Sequence, residues 1–346
     1  MNEQMIRVAI THGDTNGIGY ELILKTFDAS EMLELCTPIV YGSPKVATFH
    51  RNTLGLQTPY TIVNKAEDAK DGRLNLLAVI DEETKVDFGI ATAESKAAAT
   101  KAMAKAGEDA TNGLFDVLIT SPTTETSPVA PLPMLVNGQL RIAMATMGLP
   151  LKQVPGVITK ELIWQKTLLL HKTLRRDFRI SKPRIAILAM NTSPSEEEEQ
   201  ILKPAIEALG EQKVNAFGPY PADTFFGEGY FNAFDAVLAL YDNQALAPFK
   251  TLDDGEGVSY AAGQELVQTA PLTSDALKNA GKNMADERSM RHAIYLAIDV
   301  FRNRLNYDEP MKNPLKKLYH EKRDESEKVR FNIPKAKDNA EKENKQ

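Results

Sequence analysis

Cysteine is nearly missing from this chain of 346 residues, and the single Cys36 excludes an intrachain disulfide and any cysteine-rich metal site. Its apolar neighbours in MLELCTPIVYG mark it as core packing, because a free thiol is among the most buried side chains. Such cysteine usage fits a reducing, cytoplasmic setting. Histidine is scarce too: the five are His12, His50, His171, His292 and His320, with no pair at metal-ligand spacing, so they read as structural or exposed. Apolar runs long enough for a bilayer are lacking, which excludes a membrane span. The start MNEQMIRVAITHGD also lacks the basic region and long apolar core of a signal peptide. Positive charge is not in excess, since 41 Lys and Arg stand against 47 Asp and Glu for a net charge of -6. A nucleic-acid partner is therefore not expected, because phosphate-binding surfaces carry a basic field.

What the chain does have is 42% hydrophobic and 25% charged residues, the composition of a globular protein with a sizeable interior. Its length suits two domains and a tail. Short apolar, β-branched runs recur at 6–11, 38–41, 116–120, 140–146, 184–190 and 236–241, each followed by helical periodicity. That alternation predicts parallel strands with crossover helices, an α/β fold. Residues 92–110, rich in Ala, Lys and Glu, predict a helix, and 284–305 predict a long amphipathic one. Ser193 to Ser195 precede EEEEQILKPAIEAL, a hydroxyl cap and acidic first turn that read as a solvated helix start. Beyond about Lys316 both charge signs are dense and apolar residues few, so a mobile tail is expected. The predicted organisation is a first α/β domain over 1–126, a second over 127–284, a helix over 285–315 that returns to the first, and a tail over 316–346.

Strand IRVAIT runs into HGDTNGIG and then the helical YELILKTF. Gly13, Gly17 and Gly19, with Asp14, allow a tight turn whose N–H groups suit an anion, although the spacing is neither the dinucleotide fingerprint nor the P-loop. An ordinary strand-to-helix turn reads equally well. The motif is similar to the GDPAGIGPE opening of the 4-hydroxythreonine-4-phosphate dehydrogenase (PdxA) family. The resemblance continues in family order through VYGSPKVA, DVLITSP, LRIAMAT, GLPL, SKPRIAIL, FGPYPADTFF, DAVLALYDNQALAPFK, NAGKNMAD and AIYLAIDVFRNR. It implies two α/β/α domains around a cleft, similar to isocitrate and isopropylmalate dehydrogenases, in a homodimer. It also implies hydride transfer from a secondary alcohol to NAD, followed by decarboxylation, with a divalent metal polarising the oxygen.

Where the family places its three metal-binding histidines, in TTHxPL, NPHAGE and YHDQG, this sequence has Gly148, Ser193 and Asp242. Only Asp242 has a side chain suited to coordination. The family's GHTE segment is absent, the lysine of TGPINK falls at Glu125, the aspartate of YHDQG becomes Asn243, and Ser259 and Gln268 stand for an asparagine and an arginine. At DHGTA the histidine and glycine become Thr273 and Ser274. Lost cations matter for a substrate with phosphate and carboxylate groups, because each charge-assisted contact is worth roughly 1.5 to 3 kcal/mol. Retained positions are Asp223 and Lys250 for substrate, and Gly13, Asp14, Gly17, Gly19 and Lys282 for a phosphate or cofactor loop. Three readings follow. One is a relative with lost or reduced activity that still binds a small phosphorylated ligand. Another is an active NAD-dependent dehydrogenase with a changed substrate or a carboxylate metal site from Asp242, Asp275 and Asp223. The third is a structural partner acting through its tail.

Overall fold

The computed structural model describes residues 5–80, 84–123, 130–273 and 276–312. The expected tail, with His320, and also Glu125, Ser274 and Asp275 lie outside the described residues. The chain divides into a unit of Met1–Asp308 and a second unit that begins at Glu309.

Twelve strands form one sheet among the described residues. They are β1 (Arg7–Thr11), β2 (Thr37–Gly42), β3 (Thr61–Val63), β4 (Asn75–Ala78), β5 (Val117–Thr120), β6 (Leu132–Val136), β7 (Arg141–Met144), β8 (Arg184–Leu188), β9 (Asn215–Tyr220), β10 (Ala236–Ala239), β11 (Val258–Ala262) and β12 (Val267–Pro271). Their order is β3-β4-β2-β1-β5-β12-β11-β6-β7-β10-β8-β9. Helices α1 (Gly19–Thr26), α2 (Met32–Leu35), α3 (Pro44–Thr53) and α4 (Ala93–Thr111) belong to the early strands. Later come α5 (Val154–Val157), α6 (Lys160–Arg176), α7 (Lys203–Glu211), α8 (Ala222–Gly227), α9 (Asp242–Leu252) and α10 (Arg288–Lys312).

All six runs picked out in the sequence are strands, and β2 is buried at every residue, as expected where helices cover both faces of a sheet. Helix α4 starts with a capping box in which the Ser95 N–H donates to Thr92 Oγ1 and the Thr92 N–H to Ser95 Oγ, each at 3.1 Å. It buries a small-residue face of Ala98, Ala99, Ala102 and Ala106. Cys36 lies in the core as expected, and burial pushes its thiol up to about 12.

Two expectations need correction. The sheet is mixed and not wholly parallel, because β6 pairs antiparallel with β7 and β11, and β11 with β12. The β6–β7 and β11–β12 connections are short and require no crossover helix. Asn137 Oδ1 accepts from the N–H groups of Gln139 and Leu140 between β6 and β7, while Gly263, at φ +82°, lies between β11 and β12. The long helix starts at Arg288, later than Met284, since Asp286 Oδ1 takes the Arg288 N–H at 3.0 Å, and it runs past Leu305 to Lys312.

A buried ion pair ties α10 to the end of α6 and to the β11–β12 turn. Arg304 Nε donates to Asp177 Oδ1 at 2.7 Å, and its Nη2 to Asp177 Oδ2 at 3.1 Å and to the Tyr260 hydroxyl at 2.9 Å. Its Nη1 donates to the carbonyls of Gln264 and Glu265. The whole guanidinium fork is thus spent on holding the β11–β12 turn, and such full pairing is what makes a buried charge tolerable.

Candidate functional site at the carboxyl edge of the sheet

Strand β10 lies between β7 and β8 and is parallel to both, so the loops after these three strands meet at one edge. Open α/β sheets bind ligands beyond the carboxyl ends of their strands. Gly148 follows β7, Ser193 follows β8 and Asp242 follows β10. The parallel pairing therefore places Gly148, Ser193 and Asp242 on loops after three adjacent strands.

Two of these positions touch. The Gly148 N–H donates to Asp242 Oδ2 at 3.1 Å, and the Asn243 N–H donates to Asp242 Oδ1 at 2.9 Å. Asp242 opens α9, where a carboxylate suits the positive end of the helix dipole. Gly148 has φ +72°, and a Cβ placed on it meets nothing within 4 Å, so that side of the loop is open. Ser193 is exposed and makes no hydrogen bond to a described residue.

Two side chains that the sequence reading passed over organise this edge. Gln244 Oε1 accepts from the Leu240 N–H at 3.0 Å while its Nε2 donates to the Ala189 carbonyl at 2.7 Å, which ties the loop after β10 to the loop after β8. Glu198 is buried, against the expectation of a wholly solvated glutamate run, and accepts from the N–H groups of Met190, Asn191 and Ser195 at 2.9 to 3.0 Å. Burial pushes its carboxyl up, but hydrogen bonds from Ser195 and Asn191 outweigh that and hold it below the usual carboxylate range. The spacing Ser195-x-x-Glu198 is the capping-box signature, a signal legible in the sequence.

A metal does not fit the residues present. The three positions offer one carboxylate and no imidazole, and no group of three or more His, Cys, Asp or Glu among the described residues is arranged to hold an ion. Asp223, proposed as a carboxylate donor, is exposed in α8 after the edge strand β9. Lys250 is exposed in the last turn of α9, about 12 Å along the helix from Asp242 at 1.5 Å per residue.

The Gly-rich turn lies elsewhere, between β1 and α1, and is buried from Thr11 to Leu24. A Cβ on Gly13, at φ +74°, would stand 2.3 Å from the Pro122 carbonyl oxygen, and one on Gly19 would stand 1.9 Å from that of His12. Packing therefore accounts for both glycines. Asp14 Oδ1 accepts from the Asn16 N–H at 2.9 Å, and the Gly17 N–H donates to the Asp14 carbonyl at 3.0 Å. Asn16 in turn straps the 87–92 segment down, accepting from the Asp87 N–H and donating to the Ile90 carbonyl. Under this turn His12 stacks on Tyr20 with ring centroids 5.2 Å apart, and His50 lies 5.1 Å from the same ring. Burial, with His50 nearby, lowers His12 to about 4, and burial lowers His50 to about 4. Both are neutral core residues, in line with the structural reading of the histidines.

Near the turn, Ile18, Thr273, Asn279, Met284 and Asp286 line a recess of about 190 Å³. That is smaller than the roughly 300 to 1,000 Å³ of ordinary ligand pockets, so the described residues form no cavity on the scale of a dinucleotide there. Lys282 is exposed.

Comparison with known proteins is consistent along most of the chain. The family model described as pyridoxal phosphate biosynthetic protein PdxA matches residues 34–130 and 123–297. A 4-hydroxythreonine-4-phosphate dehydrogenase from Bacteroides thetaiotaomicron is 42% identical, covering 96% of this chain and 98% of its own length. One from Prosthecochloris aestuarii is 32% identical over 87% of this chain and 99% of its own. Among solved structures, a 4-hydroxythreonine-4-phosphate dehydrogenase from Burkholderia phymatum superposes with TM-score 0.67 at 25% identity, covering 86% of this chain and 99% of that one. Another from Klebsiella pneumoniae gives TM-score 0.71 at 24% identity, covering 87% and 99%.

Proposed function

The chain belongs to the PdxA family, and from that membership we propose a relative that keeps the dehydrogenase scaffold without the metal-assisted alcohol oxidation of 4-hydroxythreonine 4-phosphate. The observation that carries the proposal is the Gly148–Asp242 contact, where a backbone N–H donates to the carboxylate and, among the described residues, no group of three or more His, Cys, Asp or Glu is arranged to hold an ion. In the family's chemistry NAD takes the hydride and a divalent cation polarises the alcohol oxygen. A polarised oxygen needs a fixed cation, and one carboxylate beside a glycine and an exposed serine does not fix one.

What this chain's residues do supply is an edge with rigid loops: Gln244 and Glu198 hold the backbone, while Asp223 and Lys250 stand exposed. Such a surface suits binding of a small phosphorylated ligand without turnover. Division into two domains near residue 126 and a homodimer are parts of the same proposal, open to limited proteolysis and to light scattering.

The direct test is NADH formation by the purified full chain from NAD and 4-hydroxythreonine 4-phosphate, with zinc, magnesium or manganese added. No turnover is expected. Rates in the ordinary enzymatic range of about 1 to 1,000 per second would refute the proposal. If that activity were metal-dependent and lost in Asp242→Asn, the alternative of an active dehydrogenase with a carboxylate-held metal would take its place.

A further inference from the structure

A second recess lies beside the β11–β12 turn. It measures about 470 Å³ and is walled by the last turns of α6, the β11–β12 turn and α10. Its volume falls within the usual range for small-molecule sites. Four cations, Lys172, Arg175, Arg176 and Arg304, face two carboxylates, Asp177 and Glu265, on its lining. The chain as a whole carries a net charge of -6, so this cationic excess runs against the average surface.

The cations have separate jobs. Arg304 is fully spent on Asp177, Tyr260 and the turn carbonyls. Arg176 is engaged by Asp308, with its Nε 3.1 Å from both carboxylate oxygens. Lys172 and Arg175, exposed and three positions apart on one face of α6, have no hydrogen-bond or ion-pair partner among the described residues. They are the donors left over. Leu169 and the ring of Tyr307 supply an apolar wall beside them. The floor is rigid, because the guanidinium of Arg304 holds the β11–β12 turn in place, and preorganisation of this kind lowers the cost of binding.

We propose that this recess binds a small phosphorylated organic molecule. Its phosphate sits between Lys172 and Arg175, and its apolar or ring portion lies on Leu169 and Tyr307. None of its lining residues belongs to the loops after β7, β8 and β10, and the inference stands whether or not the reading of those loops is right.

Phenyl phosphate carries both parts of such a ligand, so the test is calorimetric titration of the full chain with phenyl phosphate, inorganic phosphate and phenol. Phenyl phosphate is expected to bind more tightly than either fragment and to weaken with added salt. The double variant K172Q/R175Q, with an unchanged melting temperature, should lose roughly tenfold or more in affinity, since two charge-assisted contacts disappear. Variant K65Q/R73Q, which removes two exposed cations beside β3 and β4 and away from the recess, should bind as the parent does. The proposal is overturned if phenyl phosphate does not bind at millimolar concentration, if K172Q/R175Q binds as well as the parent, or if K65Q/R73Q loses as much affinity as K172Q/R175Q.

Discussion

Gly13 and Gly148 have almost the same backbone conformation, φ +74° and φ +72°, and each follows a strand at its carboxyl end. Their surroundings differ in kind. Gly13 is walled in by the Pro122 carbonyl within a turn that is buried throughout, whereas Gly148 faces open space. The first glycine is required by packing as well as by its dihedral angle. The second is required by its dihedral alone, since an added Cβ there meets nothing within 4 Å. The interior depends on the turn after β1, whereas the loop after β7 can accept a side chain at Gly148 without disturbing the core.

The largest effect that would sharpen this contrast is an acid response confined to the β1 side. The unfolded chain protonates histidine near 6.5, but His12 and His50 take up protons in the folded state only near 4. Stability is fully present above about pH 6.5 and declines as pH falls towards 4, because the unfolded state binds more protons in that window. Each tenfold drop in proton affinity on folding is worth about 1.4 kcal/mol, so the pair contributes on the order of several kcal/mol. Urea denaturation across this range should show the decline, and His50→Gln should flatten it; an unchanged slope would mean that these rings are not neutral core groups.

Next in size is Gly13→Ala, expected to cost about 3 kcal/mol from the carbonyl clash together with the left-handed backbone. A loss under about 1 kcal/mol in the same assay would show that the turn can relax, and the contrast between the two glycines would collapse. Smallest is Gly148→Ala, where the dihedral penalty alone predicts about 1 kcal/mol. A cost as large as that of Gly13→Ala would place Gly148 in a packed interior after all.

Much of the architecture was legible because periodicity and burial agree where helices cover both faces of the sheet, as in β1, β2 and β5. The strands missed, such as β11 with its alternating burial, have one face less covered and take their identity from the partners beside them. The site was legible in a different way. Gly148, Ser193 and Asp242 are far apart in the chain, and only the parallel pairing of β7, β10 and β8 places them on adjacent loops. Sequence reasoning could single out these three positions through the family resemblance. It could not show that Asp242 is already engaged by a glycine N–H, which depends on how two loops meet.

Strand β12 lies between β5 and β11, pairing Val267 with Val117, so the sheet joins residues about 150 positions apart. During synthesis β5 must leave the ribosome with one edge unpaired and wait for the chain to reach β12. The turn beyond β11 gains its last support only when Arg304 arrives, later still. Completion of the sheet thus waits for synthesis of the residues of β12, and the interval before it is the one in which an exposed β5 edge is open to pairing with another chain.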